Sequence, residues 1–563
     1  MPYSYTKATI PGEWLAAPSL MGVDPLALEI LAARGAKTVD EAKEILFPSF
    51  NQVVENLTLK DMDKVVDKLV QAIEEKLPIT IYQDYDVDGC MACSIMMENL
   101  RRFGAVVNFY GNDRLVDGYG MCPNGVDSLL AKFPETKIIL TVDNGIVAFD
   151  GIERANALGL TVLVTDHHEP GEKLPPAYAI VNPKRTDETY PFHDLCGAGI
   201  ALKTMLALSK KMRRDLNFVT QSADLAALAT VADVVPMVGE NRAIVKYGLQ
   251  LINDGVRPAF RVMSSEMGIA HVTAHETMAF TYAPMINAVS RMGENTDRIV
   301  QMFLSDNIPQ LEQDVRWLDK LNEKRKEETK REMEIAEKAV MQMNLAPNTS
   351  PSSIIVFHPD FQEGIIGIVA GRLKASYHCP VVVFAPAGNG LIKASARSMP
   401  GLDIKSALDG LSDIMVNYGG HAMAAGITIQ ERDYPAFCTR FKEIAARNMD
   451  ESKNEETIPI DAVIHASDLN EETVRGLSVL EPFGEGFREP LFGLIANVDT
   501  VRYMGSEQQH VKYTDSSSGV SIITWGGAAE AKRRTSFPKK FVGHIGLNEF
   551  NGRVSVQMIT QQN

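Results

Sequence analysis

Four clusters of carboxylate and imidazole side chains stand out. Asp84, Asp86 and Asp88 alternate in DYDVDG, directly after the apolar run LPITIY. Alternate positions on an extended segment face the same way. Three such carboxylates repel one another unless a cation lies between them, and a divalent metal is the usual answer. An acidic surface loop is the plain alternative. A calcium loop is another, but the twelfth position counted from Asp84 is Ile95, where such a loop needs a bidentate Glu. Asp143 follows in TVDNG, Asp166-His167-His168 in VTDHH and Asp233 in TVADVVP, each where an apolar run ends. A pair of satisfied structural histidines is the alternative for the DHH tripeptide. Four acidic sites at strand ends are nevertheless hard to explain as solvated surface. A mixed carboxylate and imidazole set suits Mn²⁺ or Mg²⁺, or two such ions sharing a bridging carboxylate. Two ions about 4 Å apart would generate a hydroxide nucleophile and clamp a phosphodiester.

The elements that must position these groups are legible in the pattern. Residues 1–75 read as a helical lead-in, with apolar residues at helical spacing in DPLALEILAARGAKTVDEAKEIL and DMDKVVDKLVQAIEEK. From about residue 76, short β-rich runs alternate with helical stretches, the signature of βαβ units on a parallel sheet. In such sheets, sites form at the carboxyl ends of the strands. The charged segment LEQDVRWLDKLNEKRKEETKREMEIAEK, free of Gly and Pro, predicts a solvent-exposed connecting helix within 305–342. A second α/β pattern occupies 343–450. Residues 451–563 are β-rich with turn signals, as in a small barrel or sandwich.

The run DYDVDG, VDNG, DHH and ADVVP, in this order and spacing, resembles the DHH phosphoesterases, and within them the single-strand-specific exonucleases. The likeness extends through RLVDGYG (114–120), NPKR (182–185), LCGAGIALK (195–203), GIIGIVAGRLK (364–374), SARS (395–398), GGHAMAAG (419–426), EPFGEGFREPLF (481–492) and LNEFNGR (547–553). It implies an α/β fold: a parallel-sheet DHH domain at 76–304, a long connecting helix, a second α/β, DHH-associated substrate-binding domain, and a C-terminal OB-like β-barrel. It implies Asp84, Asp86, Asp88, Asp143, His167 and Asp233 as metal ligands, with Asp143 the bridge between two ions, Mn²⁺ or Mg²⁺. His168 would meet the scissile phosphate and Asp166 would orient a His ligand; Arg291 is grouped with them as catalytic. Arg114, Tyr119, Asn287, Arg372, Ser395, Arg397, Gly419, Gly420 and His421 would bind substrate. Three positions depart from the family pattern. Tyr82 stands where many members have His, Gln83 where Gly is usual, and Met285 where Arg is usual in TYAPMINAVSR (281–291).

Read without the resemblance, GGH is a tight turn and Arg372 an ordinary surface charge. Tyr503, Tyr513, Trp525 and Phe550 in the tail are candidate stackers for single strands, although core packing is the commoner use. Cys90 and Cys93 form a CxxC at a helix start and read as core-facing residues rather than a redox pair.

The implied activity is 5′→3′ hydrolysis of single-stranded DNA to 5′-mononucleotides in repair and recombination. The alternatives are a phosphodiesterase for short RNA or cyclic dinucleotides, and a non-catalytic single-strand-binding replication factor. The resemblance implies single-stranded DNA, a single-strand-binding protein and a helicase as partners. A monomer is expected.

Composition bears on these expectations. The chain has 563 residues and a formal net charge of -16. No apolar run approaches the roughly 18 residues of a membrane span. MPYSYTKATIPGEW lacks a basic stretch followed by an apolar core, and six cysteines make no disulfide framework. A cytoplasmic location is therefore expected. Bulk charge argues against nucleic acid. That argument weakens if six or more acids surround metal ions, which invert the local sign. Residues 491–563 are in any case locally basic, with eight Lys and Arg against five Asp and Glu.

Overall fold

The computed structural model describes residues 3–112, 120–343, 351–448, 457–533, 536–550 and 552–561. After the lead-in, helix α1 (Met62–Glu74) precedes a five-stranded, wholly parallel sheet. Its strands are β1 (Ile79–Gln83), β2 (Val107–Gly111), β3 (Ile138–Val142), β4 (Thr161–Thr165) and β5 (Ala179–Val181). The order is β2-β1-β3-β4-β5. ITIYQ and IILTV are buried along their whole length because helices cover both faces, which is why these strands read as continuous apolar runs rather than alternating ones. Helix α2 (Val87–Arg102) follows β1. Helices α3 (Gly197–Lys211) and α4 (Ala223–Ala232) pack on it, and small residues, Gly89, Cys90, Ala92, Cys93 and Ser94 on α2 and the alanines of α4, allow close approach.

Helix α5 (Ala283–Arg291) leads toward α6 (Ile308–Gln342), the connecting helix. It is not exposed all round. Leu311, Val315 and Leu318, then Arg325, Thr329 and Glu332, then Ala336 and Val340 form one buried stripe. The spacing of three and four residues keeps that stripe on one face. Its apolar start belongs to the first core and its end to the core of the next domain, so α6 couples the two.

The second sheet holds β6 (Ile354–Phe357), β7 (Val381–Gly388), β8 (Leu391–Arg397), β9 (Met415–His421) and β10 (Ala424–Gln430), in the order β9-β10-β8-β7-β6. Helix α7 (Ile366–Tyr377) covers one face. Phe437 and Phe441 of α8 (Tyr434–Asn448) cover the other.

The C-terminal region forms a seven-stranded sheet. Its edges are β11 (Ala462–His465) and β13 (Thr500–Met504), with β12 (Phe492–Ile495), β14 (His510–Asp515), β15 (Val520–Thr524), β16 (Lys540–Phe550) and β17 (Arg553–Thr560) between them. The two edges do not pair among the described residues, so the expected barrel is an open sheet here. Strand propensity and turn spacing set the number of strands, whereas closure depends on shear and bending that those signals do not carry. The lead-in is tied to this region: Tyr3–Ser4 pairs in parallel with Ile458–Pro459, and Arg34 bonds Asp461 through two nitrogens.

Candidate metal centre and adjoining cleft

The candidate ligands gather at the carboxyl ends of adjacent parallel strands, where backbone geometry holds each one. Asp84 follows β1. Asp86 caps α2, accepting the Gly89 N–H at 3.0 Å. A Cβ at Gly89 would fall 2.5 Å from the Asp84 carbonyl oxygen, so the turn closes only with glycine there. Asp143 follows β3 in the left-handed region, with φ of 60°, a conformation that Asp tolerates better than most residues. Its N–H donates to the Thr165 carbonyl at 3.0 Å. Asn144 Nδ2 donates to the carbonyls of Val142 and Tyr82, fastening this turn to β1.

Asp166 follows β4. Its Oδ1 accepts the backbone N–H groups of His167 and His168 and lies 2.8 Å from His168 Nδ1, while Oδ2 accepts the Ile146 N–H at 2.8 Å. Asn182 follows β5 and braces the same turn. Its Nδ2 donates to the His168 carbonyl at 2.9 Å, and its Oδ1 accepts the Lys184 N–H at 2.8 Å.

Two ligand positions differ from the sequence expectation. Asp88 lies in the first turn of α2, not on an extended segment, and its two oxygens accept the N–H groups of Gly197 and Ala198 at the start of α3, at 2.6 and 2.7 Å. Asp233 ends a helix, α4, rather than a strand. The run ADLAALATVA is apolar enough for either element, but its alanines favour the helix.

His167 Nε2 sits 3.0 Å from Asp143 Oδ1, 3.6 Å from Asp88 Oδ2 and 3.7 Å from Asp233 Oδ2. The potential ligand atoms form three groups, each within 4.8 Å: Asp84, Asp86 and Asp143; Asp88, His167 and Asp233; and Asp143, His167 and His168. Asp143 and His167 each belong to two groups.

The electrostatics favour a cation. Burial, then the charge of Asp86, raises the Asp88 pKa to about 6. Burial, then Asp88 and Asp86, raises Asp233 to about 8 and pushes Asp143 up as well. Burial and the neighbouring His168 lower His167 to about 3, so its ring is neutral. Neither ring nitrogen of His167 nor Asp143 Oδ1 finds a hydrogen-bond partner among the described residues. A buried group of carboxylates around a neutral imidazole, with these atoms unpartnered, fits divalent cations. His168 behaves oppositely. Burial opposes its charge, but the hydrogen bond and charge of Asp166 outweigh that and raise its pKa to about 9.

An adjoining cleft of about 460 Å³ is lined by Val234, Phe280, Asn287, Arg291, Arg325 and Ile368 among others. Arg291 and Asn287 thus share one opening with a residue of the second domain, and Arg291 donates to the Gly364 carbonyl at 3.2 Å. Met285 is buried, and Tyr82, on β1 itself, is a core residue. Ser395 and Arg397 meet on β8, where Arg397 Nη1 donates to Ser395 Oγ at 2.8 Å. Gly420, with φ of 146°, packs against the neighbouring strand so closely that a Cβ would strike the Ala424 carbonyl. Gly419 has open space, and His421 and Arg372 are exposed. None of these residues of the second domain, from Arg372 to His421, lines the cleft. Arg114 and Tyr119 lie outside the described residues.

Among the proposed stackers, Tyr513 is buried in the core, Tyr503 faces the Lys532 ammonium at 5.0 Å, and Trp525 is 46% exposed. The side chain of Phe550 lies outside the described residues. Cys90 and Cys93 are buried free thiols, and burial pushes both pKa values up, as expected of packing residues.

Sequence reasoning did not single out Gly197, Asn182 or Asn144. Their signals were present in GAG at a helix start, in NPKR, and in the Asn after Asp143.

A parallel sheet with a mixed carboxylate and His cluster at its carboxyl edge, joined by a long helix to a second α/β domain, defines a phosphoesterase of the DHH class. Residues 78–230 match the model of the DHH family, N-terminal domain; 351–447 match the DHHA1 domain; and 460–562 match the RecJ OB domain. The single-stranded-DNA-specific exonuclease RecJ of Bacillus subtilis is 33% identical over 95% of this chain and 67% of its own. That of Salmonella typhimurium is 32% identical over 95% of both chains. The crystal structure of Thermus thermophilus RecJ in complex with Mn²⁺ superposes with a TM-score of 0.82 at 28% identity, covering 100% of this chain and 79% of that one. The chain belongs to the RecJ family.

Proposed function

We propose that this chain is a single-stranded-DNA-specific 5′→3′ exonuclease, dependent on Mn²⁺ or Mg²⁺, that releases 5′-mononucleotides in DNA repair and recombination. The observation that carries this is the complete ligand set, Asp84, Asp86, Asp88, Asp143, His167 and Asp233, converging at one sheet edge beside a cleft that contains Arg291. Divalent ions held there supply charge neutralisation and a lowered pKa for the attacking water.

The protein's own groups do the rest. Asp166 keeps His168 protonated and aimed by holding Nδ1, so the imidazolium can donate to a phosphoryl oxygen as negative charge develops. Arg291 adds a second cation. Arg372, Ser395, Arg397 and His421 guide the backbone from the second domain, with Gly419 and Gly420 allowing close approach. In this reading residues 76–304 hydrolyse, 343–450 hold the backbone, and 451–563 retain the strand. The protein acts in the cytoplasm as a monomer, alongside a single-strand-binding protein and a helicase.

Digestion of 5′- and 3′-end-labelled single strands tests the reading. A 5′ label released first as mononucleotide, only with Mn²⁺ or Mg²⁺, is the expected result. Equal activity on a dinucleotide would favour the short-substrate alternative.

A further inference from the structure

Two side chains in the cleft beside the metal centre are oddly placed for a folded protein. Phe280 is 80% exposed, although Ala274, Thr277, Met278 and Tyr282 of the same π-helical stretch (Ala274–Tyr282) are buried. Isolated π turns recur at functional sites. Val234 directly follows Asp233, has φ of 57° and is 62% exposed. A β-branched residue in that region is a genuine outlier, and such strain points to a local role. Both residues line one cleft with Asn287, Arg291, Arg325 and Ile368. The cleft therefore offers a flat aromatic face and an apolar wall beside guanidinium groups. Arg291 and Arg325 are the guanidinium groups lining the cleft, and Glu485 stands with them on its wall.

A nucleotide has these same two parts, an apolar π face and an anionic phosphate. We infer that Phe280 is a stacking platform for one nucleobase next to the scissile phosphodiester, that Val234 walls the opposite side, and that Arg291 meets the adjoining phosphate. Phe280 is thus a substrate-positioning residue that favours an unpaired base, since a base held in a duplex cannot offer both faces. The inference rests on the single-strand exonuclease reading above.

The test is an abasic scan. Single strands carrying one tetrahydrofuran abasic residue at each of the first four positions are digested by the wild type and by Phe280→Ala and Phe280→Trp. The wild type should lose on the order of tenfold in kcat/KM at one position, the size of one base–aromatic stack. Phe280→Ala should lose a similar factor on intact strands and show no further loss at that position. Phe280→Trp should restore the wild-type profile. Mn²⁺ affinity and melting temperature should not change, because the side chain is exposed. If Phe280→Ala shows the same positional loss as the wild type, or the wild type shows none, the stacking role is wrong while the exonuclease reading stands. If the wild type degrades no single strand, the exonuclease reading falls and this inference falls with it.

Discussion

Asp166 holds His168 by its Nδ1, with 2.8 Å between that nitrogen and Oδ1. The same carboxylate also accepts three backbone N–H groups, so it cannot turn away. This pairing sets the protonation state of His168 and its direction together.

Asp166→Asn should therefore lose the charge that keeps His168 protonated, and its amide keeps the bonds to the His167 and His168 N–H groups while giving up the one from Ile146. We expect kcat on single-stranded DNA to fall by about 10²- to 10⁴-fold, the range of a general acid–base group, with Mn²⁺ affinity changed far less. Steady-state kinetics and calorimetric metal titration separate the two effects. An equal loss in both would place Asp166 among the ligands instead.

Gly197→Ala should damage the centre from behind. Its Cβ would lie 2.7 Å from Asp143 Cβ, and the neighbour is a fixed side chain in a turn. We expect a stability loss of about 1–3 kcal/mol and weaker Mn²⁺ binding. Gly419→Ala is the contrast: nothing lies within 4 Å, so stability should hold while KM for single strands rises. Denaturant unfolding and kinetics on both variants check this.

Metal removal should cost the wild type stability, because Asp88, Asp143 and Asp233 then face one another unscreened. At ions a hundredfold above Kd, bound metal adds about 2.7 kcal/mol per site. Asp143→Asn relieves the repulsion, so in chelator it should melt above the wild type and respond weakly to Mn²⁺. Thermal melts with chelator and with Mn²⁺ measure both differences. A wild type insensitive to chelator would count against the ligand set.

Arg257 anchors the start of α4, the helix that ends at Asp233. Its guanidinium bonds Asp224 at 2.7 and 3.1 Å and Glu98 at 2.9 Å, and all three side chains are buried or nearly so. Arg257→Met would leave buried Asp224 without its cation, while Glu98 keeps Arg102 at 3.3 Å, at a cost of about 3–5 kcal/mol. Urea unfolding should show this at neutral pH, with the variant regaining stability as pH falls and Asp224 protonates.

The parallel sheet was legible because β1, β3 and β4 are continuous apolar runs that end in Asp84, Asp143 and Asp166. Period and strand-end chemistry were enough to find the site. The helical setting of Asp233 was hidden because an apolar run of ten residues serves either element until its packing partners are known, and that of Asp88 because the alternation in DYDVDG reads as extended although the helix already starts at Val87. The buried stripe of α6 was obscured by charge. Arg325 and Glu332 lie on its inner face, and only the tertiary neighbours show that they are covered. Support from Asn182 and Gly197 was hidden for a similar reason. Each acts across a long sequence distance, on His168 and Asp143 respectively, and local pattern carries no such pairing. Closure of the C-terminal sheet was over-read from strand count.

The most direct test of the central claim is hydrolysis of 5′-labelled single-stranded DNA by the wild type and Asp143→Ala, in Mn²⁺ and in chelator. The account predicts labelled 5′-mononucleotide from the wild type in Mn²⁺ alone, and activity at least 10³-fold lower (an order-of-magnitude figure for loss of metal-supplied charge stabilisation) from the variant. Full activity of Asp143→Ala in Mn²⁺, or of the wild type in chelator, would contradict it.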